Sequence, residues 1–278
     1  MIKVVMAIAI LFYVGSSSCS QTKEEKYQAE ARALVDSGYE KTRRGDHLGA
    51  IQDYNKAIEL DPNCVEAYYR RGVTKDHLKD YKGAIQDYNK AIELEPNLVP
   101  AYVDRGSAKT MLLDYRGAIQ DCNKAIELNP NDARAYNSRG NAKSGLANQR
   151  EAIQDYSKAI ELKPNFPEAF ANRALAKAIS RDYTGAIQDS NKAIELDPNV
   201  AGAYSARGAA KLGQGDNRGA IQDCNKAIEL DPDNALPYFE RGLAKLSMGQ
   251  KDSACLDFSK AGELGGVHAY ELIRRYCN

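Results

Sequence analysis

The sequence predicts an all-α protein, an α-solenoid of stacked helix-turn-helix units, and three observations predict it. The segment AIQDYNKAIEL beginning at Ala50 returns as variants at Ala84, Ala118, Ala152, Ala186 and Ala220, and a degenerate copy, ACLDFSKAGEL, begins at Ala254; every interval is 34 residues. Pro62, Pro96, Pro130, Pro164, Pro198 and Pro232 keep the same step in phase with it. Within each copy the apolar residues fall at helical spacing, as in Ala50, Ile51, Tyr54, Ala57 and Ile58, which is one stripe of an amphipathic helix. A period of this length marks a repeat array, so a length of 278 residues does not translate into one or two compact domains.

Residues 1–20, MIKVVMAIAILFYVGSSSCS, differ in kind from the rest. Lys3 supplies a positive start, Val4 to Val14 form an apolar run, and small residues follow. This is the layout of a secretory signal peptide, and the run is shorter than the roughly 20 apolar residues of a spanning helix. Ser17-Ser18-Cys19 resembles the lipobox of bacterial lipoproteins, which makes Cys19 a candidate lipidation site; Ser16 departs from the Leu that family favours three residues before the Cys. Ordinary cleavage after Ser20 is the alternative to lipidation, and both mean export, to the periplasm or to an outer-membrane association, which is the expectation; a retained anchor is the reading opposed to it. Residues 21–30 are charged and read as a short tether or the start of the first helix.

Seven 34-residue units follow, at 31–64, 65–98, 99–132, 133–166, 167–200, 201–234 and 235–268, and residues 269–278 read as a capping helix. In each unit the second helix is the clearer. Asp46, Asp80, Asp114, Asn148, Asp182 and Asp216 stand just before it, where a short polar side chain caps orphan N–H groups. An Asp-Pro-Asn type connector ends it, because Pro cannot continue a helix. Asn63, Asn97, Asn131, Asn165 and Asn199 are then placed to cap the next helix. In the first helix an aromatic (Tyr68, Tyr102, Tyr136, Phe170, Tyr204, Tyr238) precedes by four residues a small one (Gly72, Gly106, Gly140, Ala174, Gly208, Gly242). The expectation is a knob and a hole, the aromatic filling the gap beside closely approaching helices.

This pattern resembles the tetratricopeptide repeat family, which places an aromatic, a Gly or Ala, two further Ala, an aromatic and a Pro at these offsets. The resemblance covers 31–268. It implies a right-handed superhelical array that binds a protein or peptide partner in a concave groove, without catalysis or cofactor. One departure is consistent: Lys75, Lys109, Lys143, Lys177, Lys211 and Lys245 stand where the family often has Tyr. Gly265-Gly266 replaces the last Pro, and the segment after it reads as the polar-faced helix that closes a solenoid.

Comparing the repeats with one another separates scaffold from specificity, because a position identical in every unit cannot distinguish parts of a ligand. The second helix is nearly invariant; Asp53, Lys56 and Glu59 with their equivalents read as a solvated face with pairing along the helix. The ladder Arg71, Arg105, Arg139, Arg173, Arg207, Arg241 and the six Lys form either a basic stripe for an acidic ligand or partners for the repeated Asp series. The first helix varies at the positions that line the groove in this family. They include Tyr69, Val73, Asp76 and His77; Val103, Ser107 and Met111; Asn137 and Asn141; Ala171, Leu175 and Ile179; Ser205, Ala209 and Leu212; and Phe239, Leu243 and Leu246. Such a groove accepts an extended segment or a helix with apolar anchors, unless these side chains simply pack between repeats.

One subclass clamps a chaperone's terminal carboxylate with cations and Asn. Asn141 and Asn172 fall at the Asn-bearing positions, but Asn137, Gly202 and Ala206 occupy the cationic ones, so the strong charge-assisted bonds are missing. Catalysis has no foothold either: no GxGxxG, Walker-type loop, HExxH or GxSxG occurs. His47, His77 and His268 are spread along the chain, and the six Cys show no CxxC spacing, so no metal site is expected. Cys122 and Cys224 take the aromatic core position of their helices, while Cys255 and Cys277 are the one pair for which a bond is open, free thiols being the alternative. Lys plus Arg and Asp plus Glu both number 38, which lacks the basic excess a nucleic-acid partner requires.

Overall fold

The computed structural model describes residues 2–266 and 268–277, with side chains from residue 23 onward. Within them there are fifteen helices and no strand. The chain forms two compact units, Met1–Asp114 and Tyr115–Asn278. The first holds α1 (Ile2–Arg43), α2 (His47–Leu60), α3 (Val65–His77), α4 (Tyr81–Leu94) and α5 (Val99–Met111). The second holds α6 (Tyr115–Leu128), α7 (Ala133–Gly145), α8 (Gln149–Leu162), α9 (Pro167–Ile179), α10 (Tyr183–Leu196), α11 (Ala201–Gly213), α12 (Asn217–Leu230), α13 (Ala235–Ser247), α14 (Lys251–Glu263) and α15 (Ala269–Tyr276). In each unit consecutive helices pack as antiparallel neighbours, and first helices of adjacent repeats also touch, as α1 with α3 and α9 with α11. This is the helix-turn-helix solenoid arrangement expected from the 34-residue period.

The turn from first to second helix is the same throughout. At the end of α3, Lys79 N–H donates to Asp76 O at 2.8 Å and Asp80 N–H to Lys75 O at 2.9 Å, a Schellman closure with a left-handed residue. That residue is Gly at 45, 215 and 249, but Lys79, Leu113, Ala147 and Arg181 adopt it at φ of 60–66°. Asp46, Asp80, Asp182 and Asp216 then cap the second helix as expected, each accepting from the backbone three residues on; Asn148 makes no such bond. The expected capping by the connector Asn residues is wrong by one position. The N-caps are Cys64, Leu98, Asp132, Phe166, Val200 and Asn234, and only Asp132 and Asn234 bond through their side chains. The connector is instead tied by the residue before Pro: Asp61 accepts from Asn63 N–H at 3.0 Å and Asp197 from Asn199 N–H at 2.8 Å.

The hole beside the first-helix Gly is filled, but not by the aromatic four residues earlier. A Cβ on Gly72 would lie 2.7 Å from Tyr88 Cε1, on Gly140 2.5 Å from Tyr156 Cε1, and on Gly242 2.5 Å from Phe258 Cε1. The knob is the aromatic of the same repeat's second helix, buried in every case. Where that position holds Ser190, the hole is closed by Ala174. Cys122 and Cys224 are buried there too, and burial pushes the Cys224 thiol up.

The first-helix aromatic instead carries an arginine. Arg71, Arg139, Arg173, Arg207 and Arg241 lie 5.4–5.5 Å over the rings of Tyr68, Tyr136, Phe170, Tyr204 and Tyr238. The same guanidinium binds its own repeat's buried Asp through two nitrogens, as Arg139 Nε and Nη2 to Asp155 at 2.9 and 2.6 Å. Its remaining arm reaches the preceding repeat: Arg71 to Asn55, Arg139 to Asn123, Arg173 to Ser157 and Arg241 to Asn225. The Lys of the ladder adds a second cation, Lys143 to Asp155 at 2.8 Å and Lys177 to Asp189 at 2.7 Å. The Asp series is therefore buried and paired, not part of a solvated face. Only the Lys–Glu members are exposed, paired three residues apart at 2.6–3.3 Å. A carboxylate fork, a ring and a polar side chain of the preceding repeat hold these arginines, where an exposed ion pair alone would be worth little.

Candidate functional site

With the constant charges committed to one another, the variable first-helix positions are what each unit offers. In the first unit, Tyr69, Val73, Asp76 and Ser107 are half-buried on α3 and α5, and Met111 and His77 are exposed. Val103 is buried and offers no surface to a ligand. Tyr69 O–H donates to Asp104 Oδ2 at 2.7 Å. Asp76 lies close enough to Asp104 to feel it: burial first, then that neighbouring carboxylate, pushes the Asp76 carboxyl above its ordinary range. Its Oδ1 is shielded from solvent without a hydrogen bond among the described residues.

A cleft of about 290 Å³ opens beside these positions, lined by Tyr39, Thr42, Arg43, Tyr54, Tyr69, Arg70, Val73, Thr74 and His77. Its floor is a chain of hydroxyls, Thr42 Oγ1 standing 3.2 Å from Thr74 Oγ1 and 3.4 Å from Tyr54 Oη. Arg70 stacks 4.2 Å over the Tyr39 ring and Arg43 lies 6.0 Å from it. Tyr39, Thr42 and Arg43 belong to the first repeat and are not among the groove positions expected from the second repeat onward. Adding 34 to each number lands on Val73, Asp76 and His77, a signal that would have found them. His47 and His77, far apart in sequence, meet edge to face at 5.7 Å. They meet because His47 opens the helix that packs beside the end of α3.

In the second unit, Asn137 and Asn141 are half-buried and already engaged. Asn172 Nδ2 donates to Asn137 Oδ1 at 3.1 Å, and Tyr156 O–H donates to Asn141 Oδ1 at 2.9 Å. Leu175, Ala209, Leu212, Phe239, Leu243 and Leu246 are half-buried and Ile179 is exposed. Ala171 and Ser205 are buried and pack instead of facing outward. Ser205 O–H donates to Glu240 at 3.3 Å, whose carboxyl is pushed by burial up to about 8. An apolar recess of about 200 Å³ adjoins Phe239, lined also by Ala235, Leu236, Gly266 and His268.

Cys255 and Cys277 are joined in a disulfide, Cα atoms 5.7 Å apart, that ties α15 to α14. Cys19 and the rest of residues 1–20, expected to form a signal, lie outside the residues with described side chains. Among the described residues no group of three or more His, Cys, Asp or Glu could hold a metal ion, and no helix is long and apolar enough to cross a membrane.

Family models described as tetratricopeptide repeat match residues 65–98, 99–132, 122–154 and 167–200, and one described as TPR repeat matches 38–75, 148–178 and 211–249. No curated protein matches the chain. Among solved structures it is similar to MamA, at 32% identity with a TM-score of 0.51, covering 58% of this chain and 94% of that one. It is similar in fold to a tetratricopeptide repeat protein from Parabacteroides merdae, at 24% identity and TM-score 0.71, covering 90% of this chain and 100% of that one. Yeast Tom70 shares the fold at 22% identity and TM-score 0.56, over 97% of this chain and 58% of its own. Such repeats are protein-interaction scaffolds and are typically non-catalytic. On its repeats and these matches, the chain belongs to the tetratricopeptide repeat family.

Proposed function

We propose that this protein is an exported scaffold that holds a partner protein or peptide on the variable faces of its first helices, at a bacterial cell envelope. One observation carries the reading of the faces. The residues constant among repeats satisfy one another, whereas Tyr69, Val73, Asp76, Ser107, Met111, Leu175, Phe239 and Leu243 differ from repeat to repeat and keep part of their surface open. Half-exposed apolar side chains beside polar ones suit an extended segment or an amphipathic helix. A photocrosslinking residue placed at Leu175 or Met111 then captures the partner, and one placed on the Lys–Glu face at Glu195 does not. Equal capture from both faces removes the assignment.

Export is supported by the composition of residues 1–20 and by the Cys255–Cys277 disulfide, since such bonds persist in oxidising compartments. Intact mass of the natural product separates the alternatives. Loss of about twenty residues follows from signal cleavage, added acyl mass on Cys19 from lipidation, and an unprocessed chain from a retained anchor.

A further inference from the structure

Arg70 occupies the position that, 34 residues on at each step, holds Asp104, Ser138, Asn172, Ala206 and Glu240. Three of those residues bond the first helix before them: Asp104 to Tyr69, Asn172 to Asn137, Glu240 to Ser205. For Arg70 the matching neighbour is Val35, which is buried and apolar, so that contact is not made. The side chain turns instead onto the face of Tyr39. Glu66 takes its Nε, and among the described residues no acceptor takes either Nη. The outer edge of the guanidinium, which binds carboxylates bidentately, is left at the cleft. The lining adds a second guanidinium, Arg43, which stands 3.6 Å from Glu40, and five hydroxyls, those of Tyr39, Thr42, Tyr54, Tyr69 and Thr74, and includes no carboxylate. At about 290 Å³ the space stands at the lower end of small-molecule pockets, which run from roughly 300 Å³; it is the size of a side chain or two.

We propose that this cleft receives an acidic side chain, Glu or Asp, of an extended partner segment, gripped by Arg70 and Arg43 against the Tyr39 and Tyr69 rings. The assignment rests on the interaction-scaffold reading and adds the chemistry of one anchor to it. Commitment to a side chain rather than a chain end follows from the setting: the cleft lies on the open face shared by α1 and α3, and Tyr69 joins it to the α5 surface, so a segment can continue past it.

The test uses the full chain and fluorescence anisotropy of three labelled twelve-residue Ala/Ser peptides. One carries Glu residues and an amidated end, one carries Gln in their place, and one has its free C-terminus as its only carboxylate. The Glu peptide is expected to bind at low salt, at least about tenfold more tightly than either other. Arg70→Gln should remove that preference, and Arg70→Lys should recover only part of it, with the circular dichroism of both variants unchanged. Equal binding of Glu and Gln peptides, an unchanged preference in Arg70→Gln, no binding of the Glu peptide, or preference for the free C-terminus each overturns the proposal. Partner capture through Leu175 that persists in Arg70→Gln leaves the scaffold standing when the anchor fails; absence of first-helix capture in the unaltered protein removes both.

Discussion

Gly242 and Phe258 set up a test of the packing rule in which a single substitution should change sign with its background. A methyl group on Gly242 would sit 2.5 Å from Phe258 Cε1 and 2.7 Å from Cδ1, inside any tolerable carbon–carbon contact, and the ring is fully buried with no room to step aside. Overpacking of this kind costs about 1–3 kcal/mol. Against it, Gly to Ala in a helix interior gains about 1 kcal/mol. G242A should therefore destabilise by about 1 kcal/mol net. Phe258→Ala alone costs about 3–5 kcal/mol from the lost ring, but it empties the space the methyl needs. In that background G242A should stabilise by about 1 kcal/mol, so the coupling energy is about 2 kcal/mol. Urea unfolding of the four proteins at one pH measures it. The protein already contains the compensated pair as Ala174 with Ser190. Additive effects, or destabilisation by G242A in both backgrounds, would show that the second-helix aromatic does not define the hole.

Asp155→Asn should cost about 3 kcal/mol in urea unfolding. It leaves two mostly buried cations without their anion, though Arg139 keeps Asn123 and Lys143 keeps Glu151; a cost under half a kilocalorie, the ~0.5 kcal/mol typical of surface changes, would contradict the node. For Glu240 the folded chain holds its proton to about pH 8, while the ordinary value is 4.5. The unfolded chain thus releases that proton first, so stability is greatest below the unfolded value, falls across this window and levels off above it. Glu240→Gln should remove the slope and be the more stable protein at pH 8, by a few kcal/mol at about 1.4 per pH unit; parallel pH curves would refute this. Ala147→Gly relieves a left-handed residue at φ 60° and should raise stability by about 1 kcal/mol, read as a rise in thermal midpoint.

Much of the fold was legible because the period repeats both punctuation and stripe: Pro62 and its successors end helices, and Asp46 and its kin begin them. The connector was misread because Asn63 and Asp61 have equal capping chemistry, and only the backbone path decides which amide each reaches. The left-handed turn was invisible at Lys79, Leu113, Ala147 and Arg181, where no Gly marks it. Of the two readings of the Arg ladder, burial selects pairing, since a carboxylate as buried as Asp155 needs its cations. The groove positions followed from variation among repeats, yet variation alone could not tell Val103, Ala171 and Ser205, which are buried, from Met111, which is not. The cleft depends on Tyr39 and Arg70 stacking across two repeats, and no single-repeat pattern contains that contact.

The most direct test of the division between constant scaffold and variable face is hydrogen exchange of the protein with and without its captured partner. Slowed exchange concentrated in first helices such as 65–77, 167–179 and 235–247 is the predicted result. Protection confined to the second helices, 81–94 or 183–196, or none at all, would contradict it.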